Sequence, residues 1–179
     1  MLHRAKTGLV IVDVQGKLAR LVADSNEVID NCVALAQAAQ ILTLPIVWLE
    51  QNPEKLGATV DELGCRLVEE QPITKFTFSG CKQPRFIEAV ERADVDTWLV
   101  CGIEAHICVY QTALGLHKLG YQVELVTDCV SSRTLSNKQL AIRKLEQQGV
   151  MSTSLEMALY ELIEDCRDPT FRSILNLVR

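Results

Sequence analysis

The run Gly8-Leu9-Val10-Ile11-Val12-Asp13 is apolar without a break and ends on a carboxylate. A strand with one wet face would alternate apolar and polar residues, so an unbroken run is the pattern of a strand buried on both faces. The rest of the chain keeps this rhythm. Ser25 or Asn26 caps a helix to about Thr43, with Val28, Ile29, Cys32, Leu35, Ala36 and Ala39 on one face. Pro45 opens a strand over 46–50, and 73–78 and 97–102 read as two more. Pro84, at a position where a missing N–H does no harm, starts a helix through Ala93. A helix from about Cys108 to Leu119, a strand over 122–127 and a helix from a Ser136 cap to a Gly149 stop come next. A strand over 150–153 and a helix from a Ser154 cap to about Cys166 complete the series. Residues 51–71, with Pro53, Gly57 and Gly64, read as mostly loop with one helical turn near 59–63. Residues 168–179 read as a short helix whose apolar positions, Phe171, Ile174, Leu175, Leu177 and Val178, are left for contacts with another subunit.

Strands alternating with helices predict an α/β fold of three αβα layers. Its core is a doubly wound, mainly parallel six-stranded sheet in the order 3-2-1-4-5-6. In that order the strand ending at Asp13 and the strand over 97–102 are neighbours where the winding reverses, and ligands bind beyond the strand ends there. Asp13 and Cys108 then face one crevice, and Lys75 lies on a strand between them in sequence.

A chain of 179 residues, 48% apolar and 23% charged, suits a single domain, 1–179, with one sizeable core. The net charge of −5 gives no electrostatic case for nucleic acid or an anionic membrane as a partner. No apolar run approaches the ~20 residues of a spanning helix, and the run 9–12 is too short for a signal-peptide core. The seven cysteines are odd in number and contain no Cys-x-x-Cys pair, which argues against a disulfide framework or zinc ribbon. Reduced thiols in a cytoplasmic protein are the simplest expectation, with Cys101 and Cys129 as core packing.

Cys108 stands apart. It follows a buried strand and a short loop, at the expected start of a helix, where the helix dipole and unpaired N–H groups favour thiolate over thiol. The same N–H groups suit an oxyanion formed when sulfur attacks a carbonyl. A cysteine nucleophile needs a proton acceptor, and the three histidines fit poorly: His3 is terminal, His117 lies deep in the following helix, and His106 sits in the tight turn. An acid at the end of the first strand together with a lysine suits the geometry better.

Three segments carry a family resemblance. They are Val10-Ile11-Val12-Asp13-Val14-Gln15, Ile73-Thr74-Lys75-Phe76-Thr77-Phe78-Ser79 and Gly102-Ile103-Glu104-Ala105-His106-Ile107-Cys108-Val109. In this order and spacing they resemble the isochorismatase-like cysteine hydrolases, which include nicotinamidases and N-carbamoylsarcosine amidases. Glu50-Gln51-Asn52-Pro53-Glu54-Lys55-Leu56-Gly57 is similar to a motif of a small subgroup whose members mostly lack an assigned substrate. The resemblance implies a catalytic triad of Asp13 as base, Lys75 as its partner and Cys108 as nucleophile. It also implies a cis Ile103–Glu104 peptide and an oxyanion hole from the backbone N–H groups of Glu104 and Cys108. Gln15, Phe78, Ser79 and Ile103 become candidate pocket residues, and a homo-oligomer is expected.

The implied activity is hydrolysis of a small molecule with an amide-like or activated carbonyl through an acyl-enzyme. No cofactor is expected. Nicotinamidases hold a divalent metal through an Asp-x-His pair after the second strand, whereas Trp48-Leu49-Glu50-Gln51-Asn52-Pro53 supplies no imidazole. Glu50, Asp61 and Glu62 offer at most a weak oxygen site. A catalytically idle family member serving as a binding or assembly module is the alternative, and a thiol redox protein is disfavoured by the missing Cys-x-x-Cys.

Overall fold

The structure is a computed structural model that describes residues 1–68 and 70–179. In chain order it contains β1 (Thr7–Val12), α1 (Gly16–Leu21), α2 (Ser25–Ile41), β2 (Ile46–Gln51), α3 (Pro53–Leu56), α4 (Asp61–Gly64), β3 (Ile73–Lys75) and α5 (Pro84–Arg92). The second half contains β4 (Thr97–Ile103), α6 (Tyr110–Lys118), β5 (Gln122–Ser131), α7 (Leu135–Gln147), β6 (Met151–Thr153), α8 (Leu155–Ile163) and α9 (Phe171–Leu175). The six strands form one sheet in the order β3-β2-β1-β4-β5-β6, and every pairing is parallel.

The unbroken apolar strands are explained by the two layers that cover them. Leu9 and Ile11 face one side and pack with Val28, Cys32 and Leu35 of α2 and Leu159 of α8. Val10 and Val12 face the other side, against Phe86 of α5, Leu116 of α6 and Leu145 of α7. Successive side chains point to opposite faces, so a central strand covered on both, such as β1, is apolar along nearly its whole length. β1 and β4 meet closely at their upper ends. Gly102 pairs with Val12 and has φ +119°, and a Cβ there would lie 2.0 Å from the Val12 carbonyl oxygen. Only glycine permits that approach.

Several local expectations change. Neither Ser25 nor Asn26 caps α2; Asp24, in the left-handed conformation, precedes the helix, and the Ser25 hydroxyl donates to the Ala19 carbonyl. α7 likewise starts after Thr134 without a side-chain cap, one residue before Ser136. The Ser154 cap and the Pro84 helix start are as expected. α1 was not anticipated. β3 stops at Lys75 rather than running to Phe78, and the stretch after it turns toward the site.

The tail corrects the expected contact surface. Ile174 is fully buried, and Phe171, Leu177 and Val178 pack against the core beside α2 and α8. Those apolar residues complete this chain's own core.

Candidate active site

The upper ends of β1, β2, β3 and β4 place the functional groups. Asp13 directly follows β1 with φ +52°, an uncommon backbone conformation for a non-glycine residue. Gln51 ends β2 and Lys75 ends β3, with Gln51 paired to Lys75 in the ladder. Beyond β4, the Ile103–Glu104 peptide is cis, and Ala105–Val109 winds as a π turn before α6. The helical segment therefore begins three residues earlier than the sequence suggested, and Cys108 is its fourth residue.

Lys75 is wholly buried, and the long side chain ends among acceptors. Its Nζ lies 2.7 Å from Asp13 Oδ2, 2.7 Å from Gln51 Oε1 and 3.4 Å from the Thr77 carbonyl oxygen. An ammonium has three N–H donors, and three acceptors meet them. A charge removed from water needs this degree of pairing. Asp13, 2% exposed, accepts at Oδ2 from Lys75, while its Oδ1 has no hydrogen-bond partner among the described residues. The Cys108 thiol lines the same cavity, near enough for the two groups to influence each other's ionisation.

Burial raises the Asp13 carboxyl above its ordinary value, and Lys75 and the thiol hydrogen bond pull it back only in part. The Cys108 thiol is pushed up to about 12, first by burial and then by the neighbouring Asp13 charge, with Lys75 opposing. Burial and the Asp13 charge therefore favour the thiol form of Cys108, against the thiolate expected from its place at a helix start.

Asp13 and Cys108 open into one cavity of about 100 Å³. Phe78, Ile103 and Glu104 line it as well, together with Gln51, Leu18 and Leu56. A larger groove of about 460 Å³ beside Gly16, Arg20 and Asp61 is lined by no cysteine, and its Arg20 is paired with Glu62. Two candidate pocket residues do not reach the Cys108 cavity. Gln15 is fully buried, accepts from the Gln51 N–H and donates to the carbonyls of Gln51 and Gly57, so it ties loop backbone together. Ser79 donates to the Gln111 carbonyl and is likewise turned away. Conversely, Gln51 was not singled out from sequence. Its place at the end of the strand next to β1 was the available signal.

Glu104 lines the cavity, and its carboxylate accepts from the backbone N–H and the Nε of Arg133. Among the described residues no group of three or more His, Cys, Asp or Glu is placed to hold a metal ion. Where the nicotinamidase ligands would stand, Glu50 instead binds the N–H and hydroxyl of Thr59, and Gln51 binds Lys75. These donors do not fit an imidazole-anchored ion. No helix among the described residues is long and apolar enough to cross a membrane.

A six-stranded parallel sheet in this order, with an acid and a thiol at its switch point, defines an isochorismatase-type α/β fold. The isochorismatase domain model matches residues 7–157, and the chain belongs to that family, a family of hydrolases. A secreted isochorismatase effector, Isc1, of Phytophthora sojae is 36% identical over 177 residues, covering 96% of this chain and 83% of the relative. The MAR1 ribonuclease of Caenorhabditis elegans superposes with a TM-score of 0.93 at 33% identity, covering 99% of this chain and 91% of that one. The YcaC gene product of Escherichia coli, described as an octameric hydrolase of unknown specificity, shares the fold (TM-score 0.89, 21% identity, 98% and 94% covered).

Proposed function

We propose that this chain hydrolyses a small molecule with an amide-like or activated carbonyl, with Cys108 as nucleophile, Asp13 as proton carrier and Lys75 as the charge that holds Asp13 in place. One observation carries the reading. Lys75 occupies one oxygen of the Asp13 carboxylate, and the other has no hydrogen-bond partner among the described residues, in a site where Asp13 and Cys108 line the same cavity.

In the acylation step the thiol proton passes to Asp13 as sulfur bonds to the carbonyl carbon. Burial favours the protonated thiol, so its proton must leave as the C–S bond forms or before it. The carbonyl oxygen becomes an oxyanion held by the backbone N–H groups of Glu104 and Cys108. The Glu104 N–H is taken by no backbone carbonyl among the described residues, which supports that role. The tetrahedral species collapses with cleavage of the C–N bond, and the leaving nitrogen takes the proton from Asp13. Water then gives a proton to Asp13 as its oxygen attacks the thioester. The acid departs, and the sulfur recovers the proton.

The intact set of Asp13, Lys75 and Cys108 disfavours an idle binding module. The ribonuclease named among the relatives suggests RNA cleavage as a second activity, but a net charge of −5 and a cavity without an unpaired cation do not favour phosphate binding. By analogy with the octameric relative this chain is proposed to form a homo-oligomer, and its seven free thiols support a reducing, cytoplasmic setting.

The test is a screen of small amides, ureas, carbamoyl compounds and activated esters, with labelled RNA as a parallel arm, after dialysis against EDTA. Turnover of a carbonyl compound by the wild type, lost in Cys108→Ala, Asp13→Asn and Lys75→Met, is expected. Activity lost on chelation and restored by zinc, or retained in Cys108→Ala, contradicts the mechanism.

A further inference from the structure

The cavity over Cys108 is small and dry-walled. At about 100 Å³ it has roughly two thirds of the volume that admits a benzene ring, room for about four non-hydrogen atoms. Leu18, Leu56, Phe78, Ile103 and Ile107 supply most of its wall. Apart from Asp13 Oδ1 and the Cys108 thiol, the polar side chains in the wall have partners. Gln51 gives Oε1 to Lys75 and Nε2 to the Phe76 carbonyl, and Glu104 is held by Arg133.

Charge points the same way. Two carboxylates, Asp13 and Glu104, border the cavity, and among the described residues no cationic one lines it. Lys75 has all three donors engaged behind Asp13, and Arg133 is bound to Glu104. An anionic group entering here would lose its water and find the two nearby cations, Lys75 and Arg133, already paired with carboxylates.

From this volume and wall we infer that the cavity is an acyl pocket for neutral aliphatic acyl groups of about two to four carbons. It excludes longer chains and acyl groups bearing a carboxylate, and the leaving group stays at the mouth. The inference rests on the proposed role of Cys108 as the acylated nucleophile.

The experiment measures acylation of Cys108 by the p-nitrophenyl esters of acetate, butyrate, octanoate and hemisuccinate, followed by acid quench and peptide mass spectrometry. The exposed Cys65 and Cys166 in the same sample serve as internal references. Acetate and butyrate should acylate Cys108 at least about tenfold faster than octanoate or hemisuccinate, a discrimination within reach of an apolar pocket, with no such order at the reference thiols. Leu56→Ala should raise the octanoate rate several-fold relative to acetate. Equal rates for all four esters at Cys108 overturn the acyl pocket while leaving Cys108 as nucleophile. Acylation of the reference thiols alone overturns the nucleophile, and the pocket with it.

Discussion

Lys75 Nζ stands 2.7 Å from Asp13 Oδ2, with the lysine side chain wholly buried and the aspartate nearly so. The pair joins the ends of two strands that are not neighbours, β1 and β3, across β2. It therefore acts as both a structural tie and a source of fixed charge. Lys75→Met leaves a buried carboxylate without its partner and should destabilise the protein by roughly 3–5 kcal/mol. Losing Lys75 also removes the influence that lowers the Asp13 pKa, which burial already holds above its unfolded value near 3.8. A group raised in the folded state contributes stability below its unfolded pKa and loses it as pH rises through the folded value. The deficit of Lys75→Met relative to wild type should accordingly be larger at pH 8 than at pH 5, as read from urea melts at both.

Alkylation should expose the resting state of the nucleophile. With its thiol pushed up to about 12, Cys108 should react with iodoacetamide more slowly than exposed Cys65 or Cys166 at pH 7.5. Its rate should climb roughly tenfold per pH unit without a plateau below pH 10, because only the thiolate reacts. Peptide mapping across pH checks this, and a plateau near neutrality would show a resting thiolate.

The acid limb of the pH–rate profile belongs to Asp13. Only the carboxylate accepts the thiol proton, and burial sets its pKa above 3.8. kcat/KM on any substrate should therefore fall with decreasing pH through a single ionisation lying above that value. Retained full activity at pH 4 would remove Asp13 as the base.

Gln15 separates a structural role from a substrate role. Its amide satisfies the N–H and carbonyl of Gln51 and the carbonyl of Gly57. Gln15→Leu leaves these backbone groups unpaired and should cost about 1–3 kcal/mol for each one that stays buried. Thermal melts should show the loss. A variant of unchanged stability with a raised KM would instead place Gln15 against substrate.

The sheet was readable because a central strand covered on both faces, such as β1, is apolar along nearly its whole length, and Asp13 was readable because it interrupts such a run. Lys75 was not readable from its own neighbourhood: an isolated lysine looks solvated, and only the family resemblance pointed to a buried one. Gln51 was missed for a related reason, since a glutamine at a strand end has no distinctive chemistry until Lys75 arrives from β3. Two errors share a physical cause. The helix start at Cys108 was visible in the pattern, but the burial that raises its thiol comes with a cavity wall that includes Leu18, Leu56 and Phe78 from distant segments. The apolar tail looked unpartnered because its partners, in α2 and α8, are brought to it only by the fold.

The central claim is a covalent acyl intermediate on Cys108, and trapping it is the most direct measurement. Wild-type protein mixed with p-nitrophenyl acetate and quenched in acid at successive times should carry one acetyl group, on the Cys108 peptide. The adduct should form quickly and then fall as free acetate appears. Asp13→Asn should form it far more slowly. Acetate release without any adduct on Cys108, or at an undiminished rate in Cys108→Ala, would contradict the account.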